Sequence, residues 1–155
     1  MAKIIDKPIN VLKLFRANVL DDDSETNNIL RNVFKTYGLI NIHFYEETDP
    51  FLKETDENVH LCFLDWKLKD PVWEWNGLHV AKLLRSKFKR KLKIVFVTSH
   101  TEKRFMQELI NIHIDGFVNK DDADYMDQMV NISKDLIEEI RGNLEYAVFL
   151  ENEIK

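Results

Sequence analysis

One cysteine, Cys62, is present, so no internal disulfide can staple the fold. It lies within an apolar run, the setting of a small buried hydrophobe and not of a reactive thiol. No stretch approaches the ~20 consecutive apolar residues of a membrane helix. The opening residues, Met1-Ala2-Lys3-Ile4-Ile5-Asp6-Lys7-Pro8, carry neither a long apolar core nor a cleavage signature. The expected location is therefore the cytoplasm, with no membrane partner. The phosphate-cradling patterns Gly-x-x-x-x-Gly-Lys-Ser/Thr and Gly-x-Gly-x-x-Gly are missing, which leaves a nucleotide cradle without support. The five histidines, His43, His60, His79, His100 and His113, follow no metal-ligand spacing and read as structural or surface groups. Positive charge is in the minority, with 22 Lys and Arg against 27 Asp and Glu, and a net charge of −5 argues against nucleic acid as the main partner. Internal repeats and low-complexity segments are also lacking.

What is present is the balance of one soluble globular domain: 155 residues, 45% apolar and 32% charged. A chain of this length buries roughly 70% of its unfolded surface and needs no staple. Short apolar runs alternate with helical periods. Strands are expected over Phe15–Leu20, Ile42–Tyr45, Val59–Leu64, Lys93–Val97 and Gly116–Val118. Helices are expected over Ser24–Tyr37, Asp49–Thr55, Gly77–Phe88, Thr101–Ile112 and from Asp122 onward. Asp23 or Ser24 can cap the first of these and Gly38 can end it. Five strands alternating with five helices, the central strands nearly all-apolar, point to an α/β fold, a parallel sheet with helices on both faces. No recognition-helix module is left over, so direct nucleic-acid binding within this chain is not expected.

The polar residues that end these runs carry the chemistry. Asp21-Asp22-Asp23 follow Val19-Leu20, Asp65 ends Leu61-Cys62-Phe63-Leu64, Thr98 ends Ile94-Val95-Phe96-Val97, and Lys120 follows Phe117-Val118-Asn119. In open parallel sheets, ligands bind beyond the carboxyl ends of the strands. Crowded carboxylates stay ionised only beside a cation. Mg²⁺ suits one or two carboxylates plus a phosphate, and a carboxylate beside it can attack phosphorus. Thr98 would supply a hydroxyl and Lys120 a point charge to the phosphoryl oxygens.

In sequence, Val19-Leu20-Asp21-Asp22-Asp23-Ser24, Phe63-Leu64-Asp65-Trp66, Val95-Phe96-Val97-Thr98-Ser99 and Gly116-Phe117-Val118-Asn119-Lys120 resemble the receiver domain of bacterial two-component response regulators. The resemblance covers about residues 15 to 140. It implies a flavodoxin-like, doubly wound five-stranded sheet of order 2-1-3-4-5. It makes Asp65 the phosphoacceptor, Asp22 a direct metal ligand, Asp21 its partner acting largely through a water, and the backbone carbonyl of Lys67 a further ligand. Thr98 is then the switch hydroxyl, Phe117 the switch aromatic and Lys120 the lysine on the phosphoryl group. Ser99 matches a small position, and Lys67 and His100 match positions that tune phosphate lifetime. The implied cofactor is Mg²⁺ or Mn²⁺. The implied partners are a sensor histidine kinase or phosphotransfer protein and a downstream effector protein or domain. Such a chain is a signalling module that catalyses only its own phosphorylation and dephosphorylation.

Two places depart from the family pattern. Lys120 is followed by Asp121 where the family has proline, so a trans peptide is expected, a non-proline cis bond costing about 3 kcal/mol. The loop from Lys67 to Asn76 is enlarged and carries Trp73 and Trp75, read as a partial lid, a partner-docking surface or simple packing. These departures motivate a second reading, a degenerate receiver acting as a constitutive interaction module. A third is a haloacid-dehalogenase-type phosphatase, whose Asp-x-Asp-x-Thr motif Asp21-Asp22-Asp23-Ser24-Glu25 approaches, with Glu25 in place of Thr.

Residues 1–14 read as an N-terminal extension, 15–140 as the receiver domain and 141–155 as an extension of the last helix. In that extension Leu144, Ala147, Val148 and Phe149 continue a helical stripe, suited to fold-back, a linker or a homodimer seam. Arg85, Lys87, Lys89, Arg90, Lys91 and Lys93 form a basic cluster, read as a solvated helix end, with phosphate or nucleic-acid binding as the lesser possibility.

Overall fold

The structure is a computed structural model that describes residues 10–68 and 76–154. Its elements run α1 (Val11–Leu14), β1 (Ala17–Leu20), α2 (Ser24–Thr36), β2 (Ile42–Tyr45), α3 (Thr48–Glu54), β3 (Leu61–Leu64), α4 (Gly77–Phe88), β4 (Lys93–Thr98), α5 (Lys103–Asn111), β5 (Gly116–Asn119) and α6 (Tyr125–Ile154). A 3-10 turn at Lys89–Lys91 joins α4 to β4. All five expected strands form, and the helices from α2 to α6 fall where the periodicity places them. The short α1 has no counterpart in the sequence reading. It is a single turn whose Val11 is fully buried, and four residues are too few to show a period.

The strands form one parallel sheet of order β2-β1-β3-β4-β5. The central pair β1 and β3 are buried along their whole length, as parallel strands covered on both faces must be. Alternation sorts their side chains onto two faces. Val19, Phe63, Val95 and Val97 join Leu30 and Phe34 of α2 and Met129, Val130 and Ile137 of α6 on one face. Leu20, Cys62, Leu64, Ile94 and Phe96 join Phe51 of α3, Leu84 of α4 and Leu109 of α5 on the other. Burying each large side chain contributes about 1.5–3 kcal/mol, so the two clusters dominate stability. Cys62 is fully buried, and burial pushes its thiol pKa well up, which leaves it inert at neutral pH.

Local chemistry sets the ends of α2. Asp23 is the cap: its carboxylate accepts the Glu25 N–H at 3.1 Å and the Thr26 hydroxyl at 3.0 Å. At the other end Gly38 adopts φ +75°. Its N–H donates to the Lys35 carbonyl at 3.0 Å, and that of Leu39 to the Phe34 carbonyl at 3.0 Å. Only glycine reaches that conformation without strain.

The basic cluster is not one solvated surface. Arg85 folds back, with its side chain 13% exposed. Its guanidinium donates to the carbonyls of Lys89 (2.6 Å), Leu92 (2.8 Å) and His113 (2.8 Å), and to the Asp115 carboxylate (3.0 Å). Asp115 in turn accepts the Ile94 N–H at 2.8 Å. Arg85 therefore clasps α4, the following turn and the starts of β4 and β5. Lys87, Lys89, Arg90 and Lys91 remain exposed around it.

Candidate functional site

Register alone brings the polar strand ends together. Leu20 pairs with Leu64, so Asp21 and Asp65 both lie one step past the end of neighbouring strands. Thr98 pairs with Asn119, which sets Lys120 beyond it on β5. The ammonium of Lys120 lies 2.6 Å from Asp21 Oδ2 and 2.8 Å from Asp65 Oδ2, bridging the two carboxylates. Asp21, Asp22 and Asp65 each offer an oxygen, all within 4.8 Å of one another. An open depression of about 670 Å³ exposes these groups together with Lys67, Ser99 and His100. Among the described residues this is the group of three acidic side chains close enough to hold one cation.

Electrostatics follow from that packing. Burial raises the Asp65 pKa above the ordinary carboxylate value; the Lys120 contact opposes this shift, while the Asp21 charge adds to it. Burial works against charge on Lys120, but its bonds to Asp21 and Asp65 outweigh that and hold its ammonium more firmly protonated than an ordinary lysine. The Thr26 hydroxyl, then the backbone N–H groups of Glu25 and Thr26, lower the Asp23 pKa. Asp23 thus works as the helix cap while its two predecessors face the site.

Neighbouring residues to which the sequence assigned no part in the site hold these groups in place. The Asp23 N–H donates to Asp21 Oδ1 at 3.0 Å, and the buried amide of Asn27 donates to the Asp21 carbonyl at 2.8 Å. The Trp66 N–H donates to Asp65 Oδ1 at 2.7 Å. The Trp66 ring rests on Phe105 of α5, centroids 4.1 Å apart. A Cβ on Gly77 would lie 2.0 Å from the Asp65 carbonyl oxygen, so the α4 start approaches the end of β3 as only glycine permits. The visible sequence signals were an asparagine on an otherwise apolar helix face and a glycine opening a helix.

Thr98 is fully buried, and its hydroxyl accepts the His100 N–H at 3.3 Å. Phe117 is half-buried and packs against the cluster under α4 and α5. No cis peptide occurs among the described residues, so Lys120–Asp121 is trans as expected. The Asn119 side chain accepts the Asp121 N–H at 2.8 Å, a bond that proline could not make. The expectations for Trp73 and Trp75 lie outside the described residues.

A doubly wound parallel sheet of order 2-1-3-4-5, with carboxylates and a lysine gathered at its carboxyl edge, defines a flavodoxin-like α/β protein. The family model described as response regulator receiver domain matches residues 18–131, and the chain belongs to that family, a signalling module of two-component systems. Solved structures with the same fold include a CheY-like receiver domain protein from Methanospirillum hungatei, at 18% identity and TM-score 0.60, covering 86% of this chain and 95% of that one. RcsB from Salmonella enterica, bound to promoter rprA with the phosphomimetic BeF3-, gives 15% identity and TM-score 0.63, covering 77% and 97%. Response regulator DrrB of Thermotoga maritima gives 15% identity and TM-score 0.58, covering 86% of this chain. This chain spans about half, 54%, of that DrrB chain. A search of curated proteins finds no match.

Proposed function

We propose that this chain is a phosphorylatable receiver in which Asp65 takes a phosphoryl group from a phosphohistidine on a sensor kinase or phosphotransfer protein in the cytoplasm. The observation that carries this reading is the meeting of Asp65 with Asp21, Asp22 and Lys120 at one sheet edge. A carboxylate oxygen of Asp65 attacks phosphorus, the P–N bond breaks, and the imidazole leaves with the bonding pair. Lys120 stabilises the charge on the phosphoryl oxygens, and Thr98 donates its hydroxyl to one of them. Asp21, Asp22, Asp65 and the Lys67 carbonyl would hold Mg²⁺ or Mn²⁺; hard oxygen donors spaced this closely suit such an ion. When bound, the ion neutralises the clustered carboxylates and the incoming phosphoryl group.

Recruitment of Thr98 and of Phe117 beneath it would repack β5 against α5 and α6, and a downstream effector would read that surface. Lys67 and His100 line the same depression and would tune how fast water removes the phosphate. Incubation with Mg²⁺ and acetyl phosphate is expected to add one phosphoryl group to wild type, seen by intact mass, and none to Asp65→Asn. Equal uptake by Asp65→Asn would overturn the assignment. No uptake by wild type, with no Mg²⁺ effect on tryptophan emission, would favour the constitutive interaction module.

A further inference from the structure

The end of the molecule opposite the phosphoryl site carries two charged features that the receiver chemistry does not use. The first is the turn after α4. Lys87, Lys89, Arg90 and Lys91 are exposed there. The side chains of Lys89, Arg90 and Lys91 make no ion pair among the described residues. Arg85 grips the Lys89 and Leu92 carbonyls beneath them, so these charges project from a fixed backbone. Beside them a groove of about 360 Å³ opens over Val59, Phe88 and Leu92, its rim formed by Lys87, Lys89 and Lys91 with one acid, Glu57.

The second feature is the outer part of α6. The helix runs unbroken over 30 residues, about 45 Å, far longer than the four- to six-residue strands it covers. Its fully buried positions end at Ile137, and its last partly buried contact with the core is Leu144. Beyond that come the exposed acids Glu145, Glu151 and Glu153, interleaved with Tyr146 (62% exposed), Phe149 (54%) and Leu150 (40%). These acids also lack ion pairs among the described residues.

The two features match in charge and in apolar content, yet they cannot meet within one chain. α6 packs on the sheet face shared with α2, whereas the basic turn belongs to α4 on the opposite face. A continuous helix cannot bend around the sheet edge to reach it. The chain's net charge of −5 disfavours a nucleic acid as the occupant.

We propose that a second copy of this chain is the partner: each copy lays the acidic outer segment of its α6 across the basic turn of the other. Because both features recur on both copies, the contact is mutual and closes as a two-fold dimer. The aromatic and leucine side chains of the segment fill the groove between Val59, Phe88 and Leu92, and the carboxylates sit on the lysine and arginine rim. The contact involves none of the phosphoryl-site residues, so Asp65→Asn dimerises as wild type does.

The test is sedimentation of the full chain with two charge-reversed variants, Lys87→Glu/Arg90→Glu/Lys91→Glu and Glu145→Lys/Glu151→Lys/Glu153→Lys. Wild type is expected to be dimeric at low salt and to weaken as salt rises from about 0.05 to about 0.5 M, because the contact is rich in exposed charge. Each variant alone is expected to lose at least about tenfold in self-association, since like charges then face each other. Mixed together, the two variants restore opposite charge at both contacts and re-form the dimer. A local folding defect in either variant could not be repaired by mixing. A monomeric wild type at low salt, variants that dimerise unchanged, or a mixture that stays monomeric would each overturn the proposal.

Discussion

His60 shows how one side chain ties stability to pH. Its Nδ1 accepts the Arg16 N–H at 3.1 Å, and its ring stacks on Phe15, centroids 5.8 Å apart. The His60 backbone N–H donates to the Arg16 carbonyl at 2.9 Å, extending the β1–β3 contact below the strands. Burial lowers its pKa below the usual 6.5, and the nearby Arg16 charge adds to that. The unfolded chain therefore binds this proton first as pH falls. Stability is full above about pH 6.5, starts to decline below it, and stops declining once pH passes the lower folded-state pKa. Urea unfolding across pH 5 to 8 is expected to show this decline in wild type, and His60→Gln is expected to flatten it. Asp23→Ala should destabilise the fold through loss of the α2 cap, readable as a lower urea midpoint with unchanged slope.

At the scale of elements, the β3–α4 junction is the tightest approach beside the site. Gly77 donates its N–H to the Trp66 carbonyl at 2.8 Å, and its Cα faces the Asp65 carbonyl. Gly77→Ala must push α4 away from β3. The expected loss is about 1–3 kcal/mol of stability, as for other overpacked sites, together with slower phosphoryl uptake by Asp65 in an acetyl phosphate assay. The same junction carries Trp66, whose main chain bonds the Asp65 carboxylate and whose ring rests on α5. A ligand on Asp65 therefore acts next to an aromatic contact with α5. Millimolar Mg²⁺ is expected to change tryptophan emission in wild type and to leave Asp22→Asn unmoved. An equal response in Asp22→Asn would remove that residue from the cation site.

Across the whole molecule, two opposite sheet edges do different work. The carboxyl edge concentrates Asp21, Asp22 and Asp65, two of them bridged by Lys120, and a cation bound there should stabilise the native state. Mass action gives about 2.7 kcal/mol at one hundred times the dissociation constant. The thermal midpoint should rise with Mg²⁺ in wild type and stay flat when Asp22 is replaced by Asn. The amino edge is closed by Arg85, which joins α4, β4 and β5 through four acceptors. Lysine cannot reproduce that planar fork. Arg85→Lys is expected to cost about 2–3 kcal/mol in urea unfolding, without touching phosphoryl chemistry at the far edge.

Short-range pattern determined much of this protein. Apolar runs closed by Asp21, Asp65, Thr98 and Lys120 marked the strands, the helical periods between them marked the crossovers, and Gly38 marked the end of α2, because each signal lies within one element. Family resemblance supplied the strand order that makes those ends neighbours. Only the tertiary structure decided that Lys120 bridges Asp21 and Asp65, that Trp66 lies on Phe105, that Gly77 touches the end of β3, and that Arg85 leaves its basic cluster to clasp distant carbonyls. Those contacts join residues separated by up to 99 positions, and they form only once the sheet has brought the partners together. No local periodicity encodes them, whereas the apolar runs that build the sheet lie within single strands.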